Sequence, residues 1–192
     1  MDDTILITIV IISIYIFIKL HHNNVIYVEA YTGTKYLIHK DDLRKEKADL
    51  LATIVTNLYK LKDHMVKNKK TFKGFEKYIE QLDENFSESK TIIYETDPNS
   101  DLTSYSVNKG EELSFCLKSK KTGKLHDINL LMYVAIHEIA HGACPEVGHG
   151  LLFKKIFRKL TKEAINIGLY NKVEYSQNPV EYCGMTLSSS II

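Results

Sequence analysis

Residues 128–150 read INLLMYVAIHEIAHGACPEVGHG, and this stretch decides how the chain folds. Its first part, residues 128–136, is apolar nearly all round, which is typical of a buried helix. Pro145 and Gly148 would end such a helix, because proline cannot continue it and glycine favours a turn. The stretch therefore predicts a buried helix from about residue 127 to residue 142, followed by a sharp loop.

Two histidines and a glutamate on this helix have the spacing of a metal site. Positions four apart lie on one face of a helix, so His137 and His141 can direct two imidazoles at one tetrahedral ion. Glu138 could then act as a general base that takes a proton from water and passes it to a leaving amine. Polar groups on a buried helix are costly unless they are used, which favours a catalytic Zn2+ site. Two hydrogen-bonded core histidines are the structural alternative.

A catalytic zinc ion needs a third protein ligand and an open position for water. His149 is the predicted third ligand, because Gly148 and Gly150 would let the chain fold back toward the helix. Glu163 on the following helix is the rival candidate, and Glu146 in the loop is a weaker one. An ordinary loop histidine is the alternative interpretation of His149.

The first twenty residues carry the second strong pattern. Residues 4–20 read TILITIVIISIYIFIKL, with Lys19 as the only charge. A membrane helix needs about 20 apolar residues, and roughly 17 suffice, so a transmembrane anchor is expected within residues 1–22. The acidic start argues against a cleaved signal peptide. Basic residues follow the span, which predicts a single-pass membrane protein whose domain, residues 23–192, lies in the cytosol.

Composition and cysteine usage give weaker indications. A length of 192 residues suits one domain with an appendage, and a formal net charge of +1 gives no global sign of a nucleic-acid partner. Cys116, Cys144 and Cys183 are an odd number at irregular spacing, which predicts reduced thiols in a reducing compartment. Nothing in the composition implies an obligate protein partner.

The hydrophobic periodicity predicts both helices and strands, which is typical of an α+β fold. The predicted elements are a hairpin over 25–30 and 35–39, a helix from 41 to about 68, a helix over 72–82, a loop over 83–110 with a strand-like run at 91–94, a strand over 113–118, the helix with the metal ligands, and a helix over 151–167. That last helix has a basic face of Lys154, Lys155, Arg158, Lys159 and Lys162. A solvated face is the ordinary interpretation, and contact with nucleic acid or anionic lipid is the alternative.

The pattern His137-Glu138-x-x-His141, followed by Gly148-His149-Gly150-x-x-Phe153, resembles the SprT-like and WLM families of zinc peptidases, which are zincins. In these families a histidine soon after the motif is the third ligand, and an aromatic residue then begins the next helix. His149 and Phe153 match those positions. Residues 104–184 are also similar to metallopeptidase-like proteins of large DNA viruses and protists. The resemblance implies a zincin-like domain, in which a small mixed sheet packs with helices that include the one carrying the motif, and it implies a zinc cofactor and peptidase activity.

The same resemblance implies how a peptide would bind. In zincins the strand before the active helix commonly receives the substrate as an added strand, and here that strand would be Leu113–Lys118. Tyr175 and Tyr182 are candidates to hydrogen-bond the developing oxyanion, with core packing as the alternative for each. Relatives that cut DNA-crosslinked proteins also suggest contact with nucleic acid.

Two functions fit these observations. One is a zinc-dependent endopeptidase that acts on protein or peptide substrates, and the other is a catalytically silent, membrane-tethered binding or scaffold protein with the zincin fold. An intact Glu138 favours the first. A metal kept only for structure would need a fourth protein ligand in place of water, such as Glu163 or Cys144.

Overall fold

The computed structural model describes residues 3–22 and 24–192, although not the side chains of residues 3 and 17–22. The described helices are α1 (Asp3–His22), α2 (Arg44–Lys67), α3 (Glu76–Asn85), α4 (Ile128–Ala143) and α5 (Leu151–Asn166). The described strands are β1 (Val25–Glu29), β2 (Lys35–His39), β3 (Ile92–Glu95), β4 (Tyr105–Val107), β5 (Glu112–Phe115), β6 (Val180–Tyr182) and β7 (Met185–Leu187). The predicted mixture of helices and strands is confirmed.

Five strands form one mixed sheet in the order β1-β2-β3-β5-β4. The inner strands β2, β3 and β5 are parallel, and the edge strands β1 and β4 pair antiparallel to their neighbours. Strands β6 and β7 form a separate hairpin near the C-terminus. Parallel neighbours need long crossover connections, and helices α2 and α3 provide the one between β2 and β3.

Helix α4 lies at the centre of the core, in contact with α2, α3, α5 and β4. Its residues Leu131 and Ile136 are fully buried, as are Leu51 and Leu58 on α2. Burying a side chain of this size contributes about 1.5–3 kcal/mol relative to leaving it exposed. The predicted buried helix is therefore confirmed, and it supports the residues at its C-terminal end rigidly.

The predictions for residues 72–110 differ from the structure at two places. Helix α3 begins four residues later than predicted, because Gly74 adopts a positive φ of 78° before it. The predicted loop also contains β4, which the sequence did not reveal. This strand is three residues long, and the turn after it places Asn108 and Lys109 at positive φ. So short a strand carries no usable alternation of polar and apolar residues.

Two of the three cysteines are paired, contrary to the prediction of reduced thiols. A disulfide joins Cys116, just after β5, to Cys183 in the β6–β7 turn, with their Cα atoms 6.1 Å apart. The partners are 67 residues apart in sequence, so the pairing arises from tertiary packing and not from local spacing. Cys144 is free and buried. The argument from cysteine spacing to a reducing compartment was therefore wrong.

The predicted anchor lies on α1, whose apolar side chains from Ile5 to Ile16 are about half exposed. Among the residues that the structure describes, however, no helix is both long enough and apolar enough to cross a membrane. The prediction of a membrane span at residues 4–20 is thus unsupported. Residues 1, 2 and 23, which belong to the predicted anchor and domain, lie outside the described residues. The cytosolic location stays a prediction.

Candidate metal centre and cleft

Three histidines converge at the C-terminal end of α4. His137 and His141 lie four residues apart on one face of the helix, with ring centroids 5.1 Å apart. His149 follows from the loop after α4, and its Nε2 atom lies 3.0 Å from Nε2 of His137. One potential ligand atom from each of the three lies within 4.8 Å of the other two. The structure therefore brings together the three residues that the sequence named as ligands.

The spacing and protonation of these imidazoles fit a zinc ion. Zn–N bonds of 2.0–2.1 Å at tetrahedral angles place neighbouring nitrogens roughly 3.3 Å apart, close to the observed separation of the His137 and His149 nitrogens. Burial, together with the nearby His141 and His149, lowers the pKa of His137 to about 3. Burial likewise lowers the pKa of His141 to about 4. Both rings are therefore neutral near pH 7 and can offer a lone pair to a metal.

The rival ligands have other partners or positions. The carboxylate of Glu163 accepts hydrogen bonds from Lys159 at 3.0 Å and Asn166 at 3.3 Å, and it lies 3.6 Å from Nε2 of His64. Within the described chain, the groups gathered for a metal are the three histidines, and Glu163, Glu146 and Cys144 are not among them. A metal held by these three histidines would have one tetrahedral position open to water.

Glu138 faces the same cleft from the neighbouring position on α4. Glu138 is only 5% exposed, and burial raises the pKa of its carboxyl to about 8. A nearby cation favours the charged form of a carboxyl group, so a metal on the histidines would lower this pKa. Glu138 is thus placed to exchange a proton near neutral pH.

An open cleft of about 510 Å³ gives access to these four side chains. The cleft is lined by Ser104, Tyr105, Ser106, Asn108, Lys109, His137, Glu138, His141, Glu146, Val147, Gly148 and His149. Part of the lining belongs to β4 and the turn that follows it, and another part belongs to the loop that carries His149. A chain in extended conformation could therefore lie along the edge of the sheet and pass the histidines.

The strand predicted to receive the substrate is not at an edge. Residues 113–118 overlap β5, which pairs with β3 on one side and with β4 on the other. Because both neighbours occupy its hydrogen-bonding positions, β5 cannot accept a further strand. The edge strand beside the cleft is β4, the neighbour of β5. The prediction that residues 113–118 form the edge is therefore wrong.

The loop that carries His149 is tied to the turn after β4. Nζ of Lys109 donates hydrogen bonds to the backbone carbonyls of Cys144, at 2.6 Å, and Glu146, at 3.1 Å. The backbone carbonyl of Lys109 lies 3.0 Å from the position that a Cβ on Gly142 would occupy, so only glycine fits there without displacement. Sequence reasoning missed Lys109, because no local pattern distinguishes it from other surface lysines.

We expect Lys109→Met to weaken zinc binding by roughly tenfold or more, because residues that orient metal ligands typically contribute 10–100-fold in affinity. The methionine keeps an unbranched chain but cannot donate to the two carbonyls, so the loop would hold His149 less firmly. Zinc affinity can be measured by competition with a chromogenic chelator. Lys90→Met is the matched control, since Lys90 also donates to a backbone carbonyl, that of Glu84, but outside the cleft. Equal zinc affinity in the two variants would contradict the role of Lys109.

The two tyrosines predicted as oxyanion donors have different surroundings. Tyr175 packs against Tyr133, with ring centroids 5.2 Å apart, in a buried aromatic cluster. Tyr182 is also buried, and its hydroxyl is hydrogen-bonded to Oγ of Ser104 at the cleft. Burial raises the pKa of Tyr182, and the charge of nearby Glu138 raises it further. Of the two, Tyr182 is therefore the one connected to the cleft.

Part of the basic face of α5 is used within the protein. Nζ of Lys155 lies 5.3 Å from the ring centroid of Phe75, and Nζ of Lys159 lies 4.6 Å from that of Phe72. Nε of Arg158 donates to the backbone carbonyl of Ile191 at 2.9 Å. These contacts hold three of the five basic side chains against the protein itself, and contact with nucleic acid or anionic lipid stays a prediction.

Solved structures of Wss1 are similar to part of this chain. Wss1 from Saccharomyces cerevisiae is 20% identical and aligns with a TM-score of 0.39 over 48% of this chain and 72% of that chain. Wss1 from S. pombe is 25% identical, with a TM-score of 0.33 over 45% of this chain and 77% of that chain. No protein-family model matches the sequence.

Proteins of large DNA viruses are more identical to this chain than the Wss1 structures are. The predicted similarity to proteins of such viruses is therefore confirmed. The uncharacterized protein 136R of Invertebrate iridescent virus 6 is 40% identical over 73 residues, which cover 37% of this chain and 40% of that protein. The uncharacterized protein R325 of Acanthamoeba polyphaga mimivirus is 40% identical over 161 residues, which cover 84% of this chain and 81% of R325. With this identity over most of both chains, the protein belongs to the same family as mimivirus R325.

Proposed function

We propose that the protein is a zinc-dependent endopeptidase that hydrolyses peptide bonds in protein substrates. The observation that carries this proposal is the convergence of His137, His141 and His149 beside the buried carboxyl of Glu138 in one open cleft. Three histidine ligands with a fourth position open to water are the ligand arrangement of a catalytic zinc site, whereas structural sites use four protein ligands.

The histidines and Glu138 have different roles in hydrolysis. Zinc, when bound by the three histidines, supplies Lewis acidity and lowers the pKa of a water molecule. Glu138 accepts a proton from the attacking water and delivers it to the nitrogen of the breaking peptide bond. Burial raises the pKa of this carboxyl and the charge of a bound zinc ion would lower it, so the two opposing effects suit a group that first accepts a proton and then releases it.

The edge strand β4 is the element that we assign to substrate binding. An extended peptide that adds to β4 would form backbone hydrogen bonds independent of its sequence. Such a peptide would run along the cleft wall formed by Ser104, Tyr105 and Ser106 and pass the three histidines. A shallow cleft of this kind suits an unfolded or extended segment of a protein.

The alternative of a silent scaffold protein finds less support in this site. A metal kept only for structure would need a fourth protein ligand, and Glu163 is engaged by Lys159 and Asn166. Cys144 is buried and does not belong to the group of potential ligands. A protein that binds zinc but cleaves nothing would nevertheless favour this alternative, so both properties must be measured.

The test uses the full chain, purified without added metal. We expect one zinc ion per chain by mass spectrometry, and cleavage of a denatured protein into defined fragments. Removing the metal with 1,10-phenanthroline should abolish cleavage, and stoichiometric zinc should restore it, because the histidines alone provide no Lewis acid. A folded protein that takes up no zinc would overturn the proposal.

A further inference from the structure

The hydroxyl of Ser104 occupies an unusual position between a buried tyrosine and the cleft. Ser104 directly precedes the edge strand β4 and lines the cleft together with His137 and Glu138. Its Oγ atom accepts a hydrogen bond from the backbone N–H of Cys116 at 3.1 Å and is also hydrogen-bonded to the hydroxyl of Tyr182. Two partners thus fix this side chain from the protein side.

The direction of the bond between the two hydroxyls follows from where each hydrogen can go. Tyr182 is only 3% exposed and does not line the cleft. In the part of the chain that the structure describes, the hydroxyl of Tyr182 is hydrogen-bonded to Oγ of Ser104, and either oxygen could be the donor. Ser104 is only partly buried and lines the cleft, so its own hydrogen has an alternative direction that the hydrogen of the buried Tyr182 lacks. We therefore assign Tyr182 as the donor and Ser104 as the acceptor.

This assignment leaves the Ser104 hydroxyl with one free function. A serine oxygen has two acceptor sites, and here the N–H of Cys116 and the O–H of Tyr182 fill both. The remaining Ser104 hydrogen is then free to be donated into the cleft that Ser104 lines. Since hydrogen bonds in a chain polarise one another, the bond from Tyr182 strengthens Ser104 as a donor.

We propose that Ser104 is a catalytic residue that donates a hydrogen bond to the carbonyl oxygen of the scissile peptide bond, and that Tyr182 is the positioning residue that orients and polarises it. This inference rests on the proposed peptidase function. When water adds to the carbonyl carbon, a C–O bond forms and the electron pair of the C=O bond moves to the oxygen. Ser104 stabilises that negative charge and keeps its own proton. The water proton passes to Glu138 and then to the nitrogen as the C–N bond breaks.

A pair of shape-matched variants tests the role of the hydroxyl. Threonine and valine have nearly the same shape, but only threonine carries a hydroxyl. We expect Ser104→Val to lower kcat by about 100-fold relative to Ser104→Thr, because removing one oxyanion donor typically costs 10²–10³-fold in kcat. KM and the zinc content should be similar in both. If both variants fail to fold, Ser104→Ala against the unmodified chain gives the same comparison.

The role of Tyr182 is tested by measuring whether the effect of its hydroxyl on kcat depends on the hydroxyl of Ser104. Tyr182→Phe should lower kcat on the order of tenfold, the equivalent of one net hydrogen bond, without raising KM. In a Ser104→Ala background the same change should have no further effect, because its influence passes through Ser104. Tyr175→Phe is the control, since it also removes a buried hydroxyl from the C-terminal region but one outside the cleft.

The outcomes separate this inference from the proposed function. If the unmodified chain cleaves protein and Ser104→Val is as active as Ser104→Thr, the role of Ser104 is wrong and the peptidase proposal stands. If Tyr182→Phe acts equally with and without the Ser104 hydroxyl, Tyr182 has only a structural role. An unmodified chain that binds zinc and cleaves nothing would overturn the peptidase proposal, and the role of Ser104 with it.

Discussion

Glu138→Gln is expected to lower kcat by about 10²–10⁴-fold and to leave the bound zinc in place, because general acid–base catalysis contributes an effect of that size. Glutamine has nearly the shape of glutamate and can still hydrogen-bond water, but it cannot accept a proton. The three histidines are unchanged, so one zinc ion per chain should remain. Initial rates on a denatured protein and the zinc content of the same preparation measure both parts of the prediction.

The thermal stability of this variant provides an internal check. Burial of the Glu138 carboxyl disfavours its charged form, so replacing it by a neutral amide should not lower the melting temperature. Glu84→Gln, which makes the same change on an exposed part of α3, should keep full activity. A Glu138→Gln protein that is stable, holds zinc and cleaves at the unmodified rate would rule out Glu138 as the general base.

The second large effect is expected at the third ligand. His149→Ala should weaken zinc binding by more than about 100-fold, because even residues that only orient a ligand contribute up to that amount. Two histidines at i and i+4 would remain, and two ligands are too few for a stable zinc site. Competition with a chromogenic chelator measures the affinity, and cleavage activity should be lost in parallel at low zinc concentration.

Glu163→Gln distinguishes the two candidate ligands. It keeps the size of the side chain and its position among Lys159, Asn166 and His64, but removes the negative charge. We expect it to bind zinc as tightly as the unmodified chain. If Glu163→Gln loses zinc while His149→Ala retains it, the ligand set proposed for this site is wrong.

The residues on α4 could be predicted because their signal is local. An apolar run predicts a buried helix, and the i, i+4 spacing of His137 and His141 puts both rings on one face regardless of the rest of the fold. His149 could be added because Pro145 and Gly148 force the chain to turn within a few residues. The structure places these side chains together as that reasoning predicted.

The features that the sequence did not reveal depend on contacts between distant segments. Strand β4 has only three residues, and its place at the edge is set by pairing with β5. Lys109 reaches the carbonyl of Cys144 across 35 residues, and Ser104 reaches Tyr182 across 78. Hydrophobic periodicity carries no information about such contacts. The part of the cleft formed by β4 and the turn after it could therefore not be predicted from the sequence.

The disulfide between Cys116 and Cys183 has a consequence for the integrity of the chain. Helices α4 and α5, with all three histidines and Glu138, lie inside the covalent ring that this bond closes. A single backbone break anywhere between the two cysteines would therefore not separate the fragments. A nicked molecule would migrate as one species in a denaturing gel until a thiol reagent opened the ring. The loop around His149 lies inside this ring and is highly exposed, with Val147 93% exposed. A break in that loop would therefore leave both fragments joined by the disulfide.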